Sequence, residues 1–170
     1  MDAKGEKKKI HLGCGRAKRE GYINLDSCEA VNPDVVWDLN QFPYPFPDNT
    51  FDEVLAYSIL EHLDDVVKAM EEIHRIMKPN AILDLTVPYW DGFGFASDPT
   101  HKHMFTEYTF DFFTGKADFS FITTARFNIK KMDMQYHPKF KWMPKFIKNR
   151  LRFIIKEVVV GLHVTMEAVK

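Results

Sequence analysis

The chain has 170 residues, enough for one domain with a full core and too few for two. Its 23 Lys and Arg offset 24 Asp and Glu, leaving a formal net charge of -1, so nucleic-acid binding is not expected. Cys14 and Cys28 are too few for a disulfide scaffold. No Cys/His spacing reads as a structural zinc site, and no metal is expected.

Lys7 to Lys9 lead into a short apolar run, Ile10-His11-Leu12, that closes on Gly13-Cys14-Gly15. Near a chain start this pattern predicts the first strand of an open α/β sheet, its glycines letting the backbone turn tightly beside a ligand. Tyr22 to Asp26 predicts a second strand and Val35 to Asp38 a third, each ending on a carboxylate. Pro43 to Asn49, with three prolines, predicts a rigid loop ending in a turn. Phe51 to Tyr57 predicts a fourth strand.

From Leu60 the apolar period becomes helical: Leu60, Leu63, Val67, Met70, Ile73 and Met77 recur every three or four residues. Ser58 is the expected cap, and Lys78-Pro79-Asn80 the expected stop. Ala81 to Val87 predicts a fifth strand, parallel to the fourth across this crossover.

Tyr89 to His103 carries turn formers, aromatics and two histidines without a period, which suggests a functional loop or lid. Thr106 to Phe113 predicts a short helix, Phe121 to Tyr136 a long β segment, and Leu162 to Val169 a closing strand. Lys139 to Lys156 holds seven Lys/Arg and no acid, interleaved with Phe140, Trp142, Phe146, Phe153 and Ile154. It predicts a basic amphipathic helix at about 140–160, docked on the sheet with a solvated basic face, the alternative being contact with a membrane surface or an anionic ligand. The longest apolar run, around Val158 to Val160, is too short to span a bilayer. The polar start, Met1 to Glu6, has no apolar signal segment. A cytoplasmic protein without a stable membrane anchor is expected.

In a parallel sheet the strand ends share one edge, so Gly13, Gly15, Asp26 and Asp38 should converge there. Two carboxylates beside a glycine turn suit a ligand with ribose hydroxyls and an exocyclic amine. In order, Leu12-Gly13-Cys14-Gly15, Asn24-Leu25-Asp26, Asp38-Leu39, Phe46 to Asp52 and Leu60-Glu61-His62 resemble the motifs of class I S-adenosylmethionine-dependent methyltransferases. Glu72, with Arg75 to Asn80, is similar to that family's E-x-x-R-x-L-K-P-G helix end, Asn80 replacing the usual glycine. Asp98-Pro99-Thr100-His101, followed by Phe105-Thr106, resembles a segment of a subset of small members; as a whole the chain resembles the small methyltransferase type 11-like family.

The resemblance implies one α/β domain over 1–170. It would have a Rossmann-like, mostly parallel sheet, an antiparallel C-terminal strand, and a lid or substrate region at about 89–113. It also implies S-adenosyl-L-methionine as cofactor. Gly13, Cys14 and Gly15 would line its methionine part, Asp26 and Ser27 its ribose, and Asp38 with Leu39 its adenine. Tyr57 and Ser58 would face the sulfonium and methyl group.

Residues 14–21 alone separate Gly13 from Tyr22, less than a parallel crossover usually needs. The first helix is therefore expected to be reduced. That disfavours a nicotinamide enzyme, whose pyrophosphate sits on that helix. It also leaves one sheet face under-covered, open to the N-terminal residues, the C-terminal helix or a second copy in a homodimer.

Methyl transfer onto a small-molecule acceptor is the expected activity; the alternative is a methyltransferase-fold binding module without catalysis. Positioning supplies most of such a displacement, and a base is needed only where the acceptor must lose a proton. His62 and His101 are the candidates for that role, with His103 and Glu61 behind them.

Overall fold

The computed structural model describes residues 7–170; the signal-segment expectation for Met1 to Glu6 lies outside them. Seven strands form one sheet in the order β3-β2-β1-β4-β5-β7-β6. They are β1 (Lys9–Leu12), β2 (Ile23–Asp26), β3 (Val35–Val36), β4 (Phe51–Tyr57), β5 (Met77–Pro88), β6 (Phe127–Tyr136) and β7 (Val159–Ala168). The β1–β2, β1–β4, β2–β3 and β4–β5 pairs are parallel. Strand β7 enters antiparallel between β5 and β6. Only β7 runs against the rest, which is the mostly parallel sheet with a reversed C-terminal strand that the sequence implied.

The alternation of side chains along paired strands divides the sheet into unlike faces. Ile10, Leu12, Val54, Leu83 and Val164 lie on one face and are buried. Helix α1 (Val66–Ile76) covers it with Ala69, Met70, Ile73 and Ile76, joined in the same core by Phe105, Phe110 and Phe113. The other face carries His11, Tyr57, Asp84, His163 and Thr165. Asp84 accepts from Tyr57 Oη at 2.5 Å and from Thr165 Oγ1 at 2.8 Å, and its Oδ1 lies 2.9 Å from His163 Nε2.

The crossovers explain this asymmetry. A right-handed β4–α1–β5 unit puts α1 on one face, and the β1–β2 connection, running the opposite way along the sheet, falls on the other. Residues 13–22 form only turns, closed by Ala17 N–H to Cys14 O and Tyr22 N–H to Arg19 O. The first helix is absent, as its short connection implied. A polar network stands where that helix would bury apolar side chains.

Three helical boundaries differ from the sequence reading. The helix expected from Leu60 begins at Val66, capped by Asp65, which accepts from Lys68 N–H at 2.9 Å. Leu60 to His62 is instead a separate 3-10 turn, and Ser58 does not cap it, sitting at φ 49° in the left-handed region. Leu60 and Leu63 are buried by that turn, so their spacing mimics a helical stripe. The helix ends at Ile76, and Asn80 takes the left-handed conformation (φ 62°) within a bulge of β5.

The basic helix expected at about 140–160 is also shorter. Pro144 starts α3 (Lys145–Leu151), preceded by a 3-10 turn at Pro138–Phe140. Helix α3 buries no residue, and Trp142, Phe146, Phe153 and Ile154 are all at least 70% exposed, so this segment does not bury an apolar face on the sheet and meets it through Tyr136 of β6, whose hydroxyl donates to Asn149. The β segment expected from Phe121 starts at Phe127, after a 3-10 turn at Ser120–Ile122. Thr106 to Phe113 contains a 3-10 turn at Thr109–Phe113, and the lid region also holds a short helix α2 (Phe93–Ala96).

The Glu72 to Asn80 motif has a clear structural task. The Arg75 guanidinium donates to both Glu72 oxygens (2.7 and 2.8 Å), to Phe46 O (2.9 Å), to Tyr44 O (3.0 Å) and to Asp48 Oδ1 (2.7 Å). Glu72 in turn accepts Tyr44 N–H at 2.6 Å. This planar fork fastens the proline-rich loop to α1, a geometry that an ammonium group cannot reproduce.

Candidate active site

Gly13 follows β1 at φ 62°, and a Cβ there would lie 2.6 Å from Ile59 Cγ1. The glycine therefore lets the β1 turn and the turn after β4 close on each other. Asp26 ends β2 and braces the same turn: its Oδ2 accepts Gly15 N–H at 2.7 Å and its Oδ1 accepts Cys28 N–H at 2.9 Å. Asp38 follows β3, its Oδ1 accepting Asn40 N–H at 2.9 Å.

These strand ends enclose a cavity of about 130 Å³ lined by Gly13, Asp26, Ser27, Trp37, Asp38, Leu39, Asn40, Ile59, His62 and Leu63. A second cavity of about 430 Å³ adjoins it, lined by Ser58, Glu61, His62, Thr86, Pro88, Asp98, His101 and Gln135 among others. His62 lines both.

Five of the cofactor candidates, Gly13, Asp26, Ser27, Asp38 and Leu39, thus share one cavity, and Ser58 opens onto the second. The other three lie differently. Gly15 reaches the site through its amide on Asp26. Cys14 is 2% exposed, and burial pushes its thiol up, away from nucleophilic character. Tyr57 points to the polar sheet face, where its hydroxyl donates to Asp84.

His62 and His101 are brought together, their ring centroids 4.7 Å apart. The reason is local. The left-handed Ser58 turns the chain off β4 into the 3-10 turn, and the 98–103 segment is strapped across that turn. Lys102 N–H donates to Glu61 O at 2.7 Å, Lys102 Nζ to Asp64 at 2.7 Å, and His103 Nε2 lies 2.9 Å from Leu63 O. His103 is therefore a fastener of the strap.

Glu61, which sequence reasoning ranked behind the histidines, is only 1% exposed, and its Oε2 has no partner among the described residues. Burial pushes its carboxyl up to about 7, and burial lowers His62. The convergence of Glu61 with His101 is long-range, and nothing in their spacing marks it.

A strand order of 3-2-1-4-5-7-6, a glycine turn after β1 and carboxylates after β2 and β3 define a class I methyltransferase fold. The comparisons agree. Residues 11–84 match the family described as "Methyltransferase domain". A solved S-adenosylmethionine-dependent methyltransferase from Archaeoglobus fulgidus superposes with a TM-score of 0.69 over 96% of this chain and 87% of that one, at 20% identity. A 2-phytyl-1,4-naphtoquinone methyltransferase from Nostoc is 37% identical over 60 residues, 33% of this chain and 26% of its own length. The human mitochondrial arginine-hydroxylase NDUFAF5 is 30% identical over 90 residues, 43% of this chain and 26% of its own.

The chain has the class I S-adenosylmethionine-dependent methyltransferase fold, as the motifs of its first ninety residues implied, and residues 11–84 within it are similar to the methyltransferase domain family. It matches about a quarter of the length of these two curated relatives. Among the described residues no helix is long and apolar enough to cross a membrane.

Proposed function

We propose that the protein binds S-adenosyl-L-methionine at the ends of β1, β2 and β3 and transfers its methyl group to a small molecule in the adjoining cavity. The observation that carries this reading is the convergence of Gly13, Asp26 and Asp38 on one cavity that shares His62 with a larger one.

The residues fit the cofactor. Asp26 spends one lone-pair site of each oxygen on loop amides and keeps the others for ribose hydroxyls. Asp38 keeps one oxygen uncommitted among the described hydrogen bonds, suited to an adenine amino group. The close approach at Gly13 brings backbone, not side chain, to the ligand. The bound cofactor supplies an already activated methyl carbon. The chain's own task is then to orient the acceptor in line with it and to exclude water. Ser58, Gln135 and Asp98 offer polar groups in the larger cavity for an acceptor, while the strap of residues 98–103 closes one side.

The test is calorimetry with S-adenosylmethionine, S-adenosylhomocysteine and NAD, followed by release of S-adenosylhomocysteine over a panel of phenols, sugars and amines. Micromolar binding of both adenosyl ligands, no binding of NAD and turnover with one acceptor class are expected. Failure of both adenosyl ligands to bind at millimolar concentration would overturn the reading. Binding without turnover on any acceptor would favour a binding module instead.

A further inference from the structure

We propose that Glu61, His62 and His101 form a three-ligand site for a divalent first-row transition metal at the wall between the two cavities. Each offers one ligand atom, and the three atoms lie within 4.8 Å of one another.

Several independent observations point to a cation. The first is tautomer control. Thr100 Oγ1 lies 2.7 Å from Asp98 Oδ1 and must donate its proton there, since a carboxylate only accepts. The 2.9 Å contact between Thr100 Oγ1 and His62 Nδ1 is then donated by the imidazole, leaving His62 Nε2 with a bare lone pair. His101 is arranged likewise: its Nδ1 lies 3.0 Å from Phe95 O and can only donate to a carbonyl. Its Nε2, again a lone pair, faces Glu61 Oε1 at 4.0 Å and Asp98 Oδ2 at 3.8 Å. Imidazoles whose far nitrogens donate to a hydroxyl–carboxylate pair and to a backbone carbonyl are the usual outer support of metal-bound histidines.

The second is Glu61 itself. Its side chain is 1% exposed, and its Oε2 is buried without a partner among the described residues. A buried carboxylate oxygen left unpaired costs about 1–3 kcal/mol or more. A cation between this carboxylate and the two nitrogen lone pairs satisfies all three groups at once.

The third is shape. Tetrahedral ligands about 2.1 Å from one centre stand about 3.4 Å apart, so side-chain rotations that close the three atoms by about an ångström complete the set. Two imidazoles and a carboxylate favour zinc, iron or cobalt over calcium or magnesium, which prefer all-oxygen sets. Three protein ligands leave positions open, and these face the 430 Å³ cavity lined by Glu61, His62 and His101. A cavity ligand carrying an oxygen or amine would reach the metal directly.

The site does not depend on methyl transfer, so its test omits the cofactor. Chelator-dialysed full-length protein is titrated with Co²⁺, followed by visible absorption, and with Zn²⁺ in competition with a chromophoric chelator. One equivalent per chain is expected, with cobalt bands typical of four or five ligands. His101→Asn and Glu61→Gln should each weaken zinc binding at least 100-fold. Thr100→Ala, which removes only the support of His62, should weaken it roughly 10- to 100-fold. Far-UV circular dichroism identifies any variant that fails to fold, and Thr100→Ala, whose substitution leaves all three ligands in place, then decides. Absence of stoichiometric binding to the wild-type chain would overturn the proposal. So would zinc binding that all three substitutions leave unchanged, because the metal would then sit elsewhere.

Discussion

Replacing Gly13 by alanine tests the local geometry on which the cofactor reading rests. At φ 62° any Cβ is strained, costing about 1 kcal/mol against glycine. The added Cβ would also lie 2.6, 2.7 and 2.9 Å from Ile59 Cγ1, Cδ1 and Cβ, where ordinary contact begins at 3.4 Å. Ile59 Cβ is close to the backbone, so rotation alone cannot clear the clash. An off-rotamer shift adds about 0.5–1.5 kcal/mol, for a total of about 2 kcal/mol. Gly15 is an internal control: it sits at φ 49°, and its Cβ would meet nothing within 4 Å. Gly15→Ala should therefore cost only the backbone component, about 1 kcal/mol.

Urea denaturation of both variants, with Ile59→Ala and the Gly13→Ala/Ile59→Ala double variant, separates the contributions. A favourable coupling of about 1 kcal/mol between Gly13→Ala and Ile59→Ala is expected. Both residues line the smaller cavity, so Gly13→Ala should also weaken S-adenosylhomocysteine binding more than Gly15→Ala does. Equal costs for the two alanines, or no coupling to Ile59, would refute the reasoning.

Arg75→Lys should cost roughly 2 kcal/mol in urea denaturation, because a lysine cannot hold Tyr44 O, Phe46 O, Asp48 and Glu72 together. A change under about 0.5 kcal/mol would contradict the clamp. Burial pushes the Asp84 carboxyl up, but hydrogen bonds from Tyr57, His163 and Thr165 outweigh it and hold the group below its ordinary value. Its stabilisation is thus present above the ordinary carboxylate range and is lost as pH falls through the depressed folded value. Asp84→Asn should be roughly 1–2 kcal/mol less stable at neutral pH, the gap closing as pH falls below the ordinary carboxylate range; a gap independent of pH would exclude this role. Asp38→Ala should weaken S-adenosylhomocysteine binding roughly 5- to 150-fold by calorimetry, the equivalent of about 1–3 kcal/mol. Asp26→Ala should do the same and also lower the melting temperature, since Asp26 braces Gly15 and Cys28. Unchanged binding in both would move the site elsewhere.

The ends of β1, β2 and β3 were legible because each of these strands is short and closed by a glycine or an acid, signals that lie within a few residues. The missing first helix was legible from the distance between Gly13 and Tyr22 alone. The start of α1 was not: Leu60 and Leu63 are core residues at a 3-10 turn with helical spacing, and that stripe points to Ser58 as the cap, seven residues before Asp65. The segment 139–156 misled because basic and aromatic residues alternate at a helical period while Pro144 divides it and its aromatic side chains stay exposed. Tyr57 read as a ligand neighbour from its place after β4, yet the strand alternation turns it toward Asp84. Glu61 meets His101 only through the strap, where Lys102 N–H holds Glu61 O. A contact between residues forty apart leaves no trace in local pattern.

The central claim is the place of the cofactor. A crystal structure of the protein grown with S-adenosylhomocysteine tests it most directly. The account predicts the adenosyl group among Gly13, Asp26 and Asp38, with ribose hydroxyls on Asp26 and the sulfur turned toward His62. An adenosyl group bound away from these three residues would contradict it.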